Sequence, residues 1–276
     1  MGKNYLTLRE IQTAELEMLV QFDRFCREYR IAYTIFGGTL LGAVRHGGFI
    51  PWDDDVDLAV PRKDYERFLS LVYDAHISVG EHMHVLSGDR DDDFAMPFTK
   101  IFRDDILVDQ GIRTYEHDGD GIWIDVFPLD DLPENRKDLE RVWQEGADLR
   151  RKLARSISVV SRKRKGENTL KWLGRAPLAL YARSRGYNYY KHRLIGTAKH
   201  GYSGPWIGNI VFGVDEPEKE ILTREEFCDT VEILFEGQSL QTFRNHEAFL
   251  TRRYGDWQTP PPEEDRITHS IKAYWK

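Results

Sequence analysis

Two cysteines in 276 residues, Cys26 and Cys228, lie far apart and match neither a zinc-ligand spacing nor a disulfide framework, so a reducing compartment is expected. Long apolar runs are also missing. The longest, Ala176 to Ala182, spans seven residues and contains Pro177, against the roughly 20 that a membrane-spanning helix needs. The opening MGKNYLTLREIQ lacks the apolar centre of a secretory leader, and Leu6 stands where a myristoylation signal requires Ser or Thr. Repeats and low-complexity tracts are absent as well. These absences predict a cytoplasmic protein. What is present is material for a real core: 41% hydrophobic and 12% aromatic residues, which excludes wholesale disorder.

The net charge of −7 conceals an asymmetry. From Arg150 to Lys199 there are fifteen Lys or Arg and a single acid, Glu167, a local balance of +14; the remainder carries −21. An acidic body with a basic segment suggests metal-dependent chemistry beside an anionic surface or ligand.

Periodicity predicts a helix over 6–28, opened by a Thr7/Glu10 capping box, a short strand over 31–36 ending at Gly37-Gly38, and a short helix over 39–45. A strand over 56–60 is closed by Pro61 and followed by an amphipathic helix over 63–75. Further strands are expected over 84–87, 98–103 and 121–127, the last ending at Pro128, then a helix over 134–156. Strand signals recur at 206–210 and 232–235, and a helical one at 245–253. The fold class expected is α/β or α+β, a mixed sheet flanked by helices. The chain divides into a catalytic core over 1–149, a basic, aromatic helical segment over 150–200, and a part over 201–276 that completes the core and the acceptor side.

The most informative stretch runs from Thr34 to Leu58. Asp53, Asp55 and Asp57 alternate where a loop enters a strand, so their carboxylates face one way and repel unless a cation lies among them. Oxygen ligands of this kind favour Mg²⁺, Mn²⁺ or Ca²⁺. An EF-hand is excluded because position 6 of the loop is Leu58 and a strand follows. Gly37-Gly38, between a strand and a helix start, exposes backbone N–H groups to an anion such as a phosphate. Arg45 and His46, at the end of that short helix, either contact donor phosphates or satisfy helix-end carbonyls. Lys100 either points into the site or lies on the solvent face. Trp52, Trp123 and Phe127 flank the acids, either as core packing or as faces for a quaternary ammonium.

This stretch resembles the LicD family of phosphotransferases, within the nucleotidyltransferase fold superfamily, and is similar to the same block of fukutin and fukutin-related protein. Gly37-Gly38 fits the superfamily's first element and Asp55-Val56-Asp57 its acid pair, while LLGAVRHGGFIPWDDD is particular to the LicD branch. Asp125, within Gly121-Ile-Trp-Ile-Asp-Val-Phe-Pro, matches the third acid. Tyr254-Gly255-Asp256-Trp257 and His269 resemble the family's ending. The resemblance implies a nucleotidyltransferase-like sheet with a basic helical insertion. It also implies transfer of a phospho-alcohol, foremost phosphocholine from CDP-choline, to a sugar hydroxyl. That sugar would belong to a cell-surface glycan (a lipopolysaccharide or teichoic acid) or its lipid-linked precursor. Two Mg²⁺ or Mn²⁺ ions would be held by Asp55, Asp57 and Asp125, with Asp53 a further ligand or a support behind them. Asp125 is alternatively the base. Gly37, Gly38, Thr39, Arg45, His46, Trp52, Lys100 and Trp123 would line the substrate.

The alternative reading is an ordinary nucleotidyltransferase moving a nucleoside monophosphate from ATP or CTP with the same acids. For the basic segment over 150–199, no nucleic-acid-reading motif accompanies the charge. An anionic membrane surface on the inner face of the cell membrane fits its aromatic content better.

Overall fold

The computed structural model describes residues 3–109, 121–157, 169–266 and 271–276, with residues 169–176 by backbone alone. In chain order the elements are α1 (Leu8–Tyr29), β1 (Thr34–Ile35), α2 (Gly37–His46), β2 (Asp57–Pro61), α3 (Arg62–Leu69), β3 (Met83–Ser87), β4 (Thr99–Val108) and β5 (Gly121–Asp131). There follow α4 (Arg136–Ile157), α5 (Thr169–Arg185), α6 (Tyr187–Ala198), β6 (Trp206–Gly208), β7 (Leu222–Thr223) and α7 (Arg224–Cys228). The chain ends with β8 (Thr230–Phe235), β9 (Gln238–Phe243), α8 (His246–Tyr254) and β10 (Ala273–Trp275).

The main sheet is mixed. Its path runs β1-β2-β5-β4-β10, with β2 parallel to β5 and the other neighbours on that path antiparallel. β3 pairs with β4, and β6 extends the far end of β5 and carries β7. This is the mixed sheet flanked by helices that the patterning predicts. Among the described residues, no helix is long and apolar enough to cross a membrane.

α1 begins as its sequence indicates. The Thr7 side chain accepts from the Glu10 N–H, and Glu10 reaches back to the Thr7 N–H at 2.7 Å. Its apolar stripe (Ile11, Ala14, Met18, Leu19, Phe22 and Phe25) is buried against the sheet at helical spacing. Three polar residues interrupt that stripe. Asp23 is satisfied by Tyr33 and Arg27, and Gln12 donates to the Asp53 carbonyl at 2.9 Å. The third, Glu15, belongs to the site described below. A second core forms where α4 and α6 close over Trp143, Phe98 and Phe127.

Several boundaries differ from the pattern-based expectation. The strand over 31–36 reduces to two residues. α3 ends at Leu69 and widens into a π turn over Ser70–Asp74. Pro128 does not end β5, which runs on to Asp131. β4 pairs with β5 only as far as Val126, and β6 only from Asp130. At Pro128 the strand is therefore laddered to β2 alone, and a missing N–H is tolerated on the open side. The β8–β9 hairpin turns through Glu236 and Gly237, both at positive φ, as two-residue hairpin loops require.

The basic segment is fastened to the body. The Lys191 ammonium is fully buried and donates to the carbonyls of Asp91 (2.7 Å), Asp92 (3.2 Å) and Phe94 (2.7 Å). Lys199 reaches Asp89 at 2.6 Å, and Asp89 also faces Arg62, itself paired with the buried Asp130.

Candidate active site

Two constraints build the site. The first is strand register: Asp57 of β2 lies opposite Asp125 of β5, and Asp125 lies opposite Lys100 of β4. Register partners share a face, so two carboxylates and one ammonium form a row across the sheet. Lys100 Nζ is 2.9 Å from one Asp125 oxygen and donates to the other at 3.2 Å. Its ammonium stands over the Trp123 ring, 4.1 Å from the centroid.

The second constraint is the junction of α2 with β2. The Phe36 N–H donates to the Asp57 carbonyl at 2.9 Å, and the Asp57 N–H donates to Thr39 Oγ1 at 2.8 Å. Both backbone groups of Asp57 are thereby tied to the turn that starts α2. That helix has no side-chain cap, and its first N–H groups lower the Asp57 carboxyl through Gly38. Gly37 has φ +53°, and a Cβ there would lie 2.4 Å from Asp57 Oδ2; one at Gly38 would lie 2.9 Å from Asp53 Oδ2. The carboxylates of Asp53 and Asp57 thus both sit at the start of α2, and only glycine admits them.

The alternation read from the sequence holds. Asp54, between the site acids, is buried and accepts the Ile271 N–H at 3.0 Å, so it faces the C-terminal segment. Asp55 acts on the same group of acids as Asp57, Asp125 and Asp53. Asp57 is half-buried as a residue, but its carboxyl group is enclosed. That enclosure, followed by the charges of Asp55, Asp125 and Asp53, pushes it well above the usual carboxylate range; the Gly38 N–H opposes the shift. Burial also raises Asp125, with Lys100 pulling the other way.

Glu15 of α1 was not anticipated from the sequence. It is 1% exposed, and neither carboxylate oxygen has a hydrogen-bond partner among the described residues. Burial first, then the charges of Asp55, Asp54, Asp53 and Asp125, raise it well above the usual range. The signal was legible: an acid at i+4 from Ile11 and i−4 from Leu19, inside an apolar stripe. Tyr254, the first residue of the block that resembles the family's ending, closes α8. Its ring stands 41% exposed, yet its hydroxyl end is enclosed, which with the Asp57 charge holds it above the usual tyrosine range despite the opposing Arg253.

The other anticipated residues divide. Thr39 holds Asp57 as described. Arg45 donates to the Trp257 carbonyl at 2.8 Å and to His46 Nε2 at 2.9 Å, which ties the C-terminal block to α2. Burial and then Arg45 hold His46 below the ordinary histidine range. Trp52 carries the Arg266 guanidinium at 4.3 Å from its ring. Phe127 is buried beneath Phe212. His269 lies outside the described residues.

A mixed α/β fold, with carboxylates on adjacent central strands facing a Gly-Gly helix start, defines a protein of the nucleotidyltransferase-like class. Residues 30–143 match the family described as LicD/FKTN/FKRP, nucleotidyltransferase domain. The chain is 30% identical to the lipopolysaccharide cholinephosphotransferase LicD of Haemophilus influenzae, over 97% of each protein. A stretch of 34 residues, 12% of this chain and 7% of the relative, is 56% identical to ribitol 5-phosphate transferase FKRP of Homo sapiens and of Mus musculus. The chain belongs to the LicD family and is a LicD-type phosphotransferase.

Two predictions follow from the site's electrostatics and its glycines. Gly37→Ala combines a left-handed backbone with a clash, and is expected to lower unfolding stability by roughly 1–3 kcal/mol in urea titrations. Gly47→Ala, at φ +72° with nothing within 4 Å, should cost less; equal losses would refute the clash. Glu15 has a folded pKa above its unfolded one, so its charge costs stability as pH rises from about 4.5 through the folded value. Without divalent ions, the melting midpoint of Glu15→Gln should match the native protein near pH 4.5 and exceed it increasingly towards pH 8. Parallel midpoint curves would show that Glu15 carries no such burden.

Proposed function

We propose that this chain transfers phosphocholine from CDP-choline to a sugar hydroxyl of a cell-surface glycan or its lipid-linked precursor. The observation that carries this reading is the Asp57–Asp125–Lys100 row facing the start of α2. It occurs in a chain similar over nearly its whole length to an enzyme named for transferring phosphocholine to lipopolysaccharide.

The donor set suits Mg²⁺ or Mn²⁺. It is all oxygen, its members repel one another, and the raised Asp57 is the kind of carboxyl that a divalent cation would return to its charged form. Among the described residues no three such side chains converge on one ion position. An ion, or a pair, would then be held by one or two carboxylates each and completed by donor phosphates and water, as Mg²⁺ commonly is. Asp55 and Asp57 are the assigned ligands, with Asp53 beside them. A cation there would neutralise charge on the transferred phosphoryl oxygens.

The sugar oxygen bonds to the phosphorus that carries choline, the bond from that phosphorus to the bridging oxygen breaks, and CMP leaves with the electron pair. Asp125 either accepts the hydroxyl proton or joins the ligands. Lys100 balances Asp125 and offers its ammonium to the leaving phosphate. The N–H groups at the start of α2 would bind the donor phosphates.

Contact with an anionic membrane surface is supported by α5 and α6. Leu178, Leu180 and Tyr181 stand more than half exposed, beside exposed Arg183, Arg185 and Arg193. This would bring the enzyme to lipid-linked acceptors at the inner face of the membrane.

Incubation with Mg²⁺, CDP-choline and a lipopolysaccharide acceptor should release CMP, and Asp57→Asn should slow that release roughly a hundredfold or more. Pyrophosphate released from CTP or ATP, with no CMP from CDP-choline, would favour nucleotidyl transfer instead. Co-sedimentation with vesicles should increase with anionic lipid and fall in Arg183→Glu/Arg185→Glu; indifference to lipid charge would refute the membrane contact.

A further inference from the structure

Alternation along β5 puts Trp123, Asp125 and Phe127 on one face. Phe98 stands two residues before Lys100, the partner of Asp125. Phe98 and Phe127 meet at 4.7 Å and are almost wholly buried. Above them lies Phe212, its ring parallel to that of Phe127 within 7° at 5.1 Å, and 4.9 Å from that of Phe98. Phe212 is 56% exposed. One face of its ring covers the buried pair, and the remainder opens to solvent beside the carboxylate row.

Its turn is firmly held. The Phe212 N–H donates to Asn209 Oδ1 at 2.9 Å, the Gly213 N–H donates to the Asn209 carbonyl at 2.9 Å, and Trp143 Nε1 donates to the Val214 carbonyl at 2.9 Å. Asn209, Ile210 and Val211 are buried. A backbone anchored on both sides thus presents one aromatic ring outward.

Other aromatic rings near the acids already carry cations: Trp52 holds Arg266, and Lys100 stands over Trp123 and, at 5.6 Å, over Phe98. No cation stands over Phe212 among the described residues. Asp125 stands two residues from Phe127 on the same face of β5, and its register partner Lys100 stands two residues from Phe98 on β4. A quaternary ammonium can donate no hydrogen bond. It is held by apolar and π faces, which three phenylalanines close to Asp125 offer. A sugar ring would need hydrogen-bond partners that these rings lack.

We propose that Phe212, backed by Phe98 and Phe127, seats the quaternary ammonium of the donor and so selects choline over uncharged alcohols. This rests on the reading that the donor is CDP-choline. The test is calorimetric titration of CDP-choline and CDP-glycerol, with Mg²⁺, into the native protein and into Phe212→Ala, Phe212→Leu and Phe212→Trp. Leucine keeps the cover over Phe127 but removes the π face; tryptophan keeps both. CDP-choline affinity should fall about tenfold in the alanine and leucine variants, equivalent to about 1.4 kcal/mol, and persist in the tryptophan variant. CDP-glycerol affinity should change less than about twofold. Native-like CDP-choline binding by Phe212→Leu, or equal losses for both nucleotides, would overturn the assignment while leaving the donor reading intact. A native protein that binds CDP-glycerol but not CDP-choline would overturn both.

Discussion

Like charge crowded at one edge of a sheet governs this structure. Five carboxyl groups from three parts of the chain (Glu15 of α1, Asp53, Asp55 and Asp57 of the acid run, and Asp125) act on one another, and the sheet row contributes a single ammonium, Lys100. Repulsion of that kind is tolerated only where surrounding contacts hold the groups in place. The contacts here are specific. Parallel register fixes Asp57 beside Asp125, the backbone of Asp57 is tied to Phe36 and Thr39, and Gly37 lets the helix start approach to a distance no side chain would permit. Stability is given up at the acid cluster and recovered in the two cores.

The C-terminal part of the chain belongs to the same arrangement. Asp54 accepts from Ile271, Arg45 donates to Trp257, and β10 pairs with β4, the strand that carries Lys100. Tyr254 brings its hydroxyl end within the field of Asp57. Residues more than 200 positions from the acid run therefore set how far that run can move.

Much of this was legible in the sequence, and what was missed has a common cause. Local rules found the Thr7 cap, the α2 start, the alternation of Asp53, Asp55 and Asp57, and the amphipathic helices, because each depends on neighbours within a turn or a strand. Lys100 was left between two orientations, since a strand lysine reads the same on either face until its partner strand is known. Pro128 was taken as a terminator because a propensity rule cannot see that one side of β5 is open there. β9 passed unnoticed because Gln238–Phe243 is polar and gains its pattern only against β8. Glu15 was passed over as one more charge in a charged helix, although its position in the apolar stripe marked it. The roles of Arg45 and Phe212 depend on contacts across long stretches of chain, which no local pattern encodes.

The buried Lys191 has a bearing on how this fold can be rearranged. Its ammonium takes the place that an ordered ion or water cluster would otherwise fill in the loop over 91–94, capping three carbonyls at once. α6 is thus a plug as well as a charged helix. A chimera that exchanged the basic segment between relatives would have to exchange that loop with it, since either half alone leaves oxygens or an ammonium stranded in the interior. The loop and the helix, some hundred residues apart, are one portable unit.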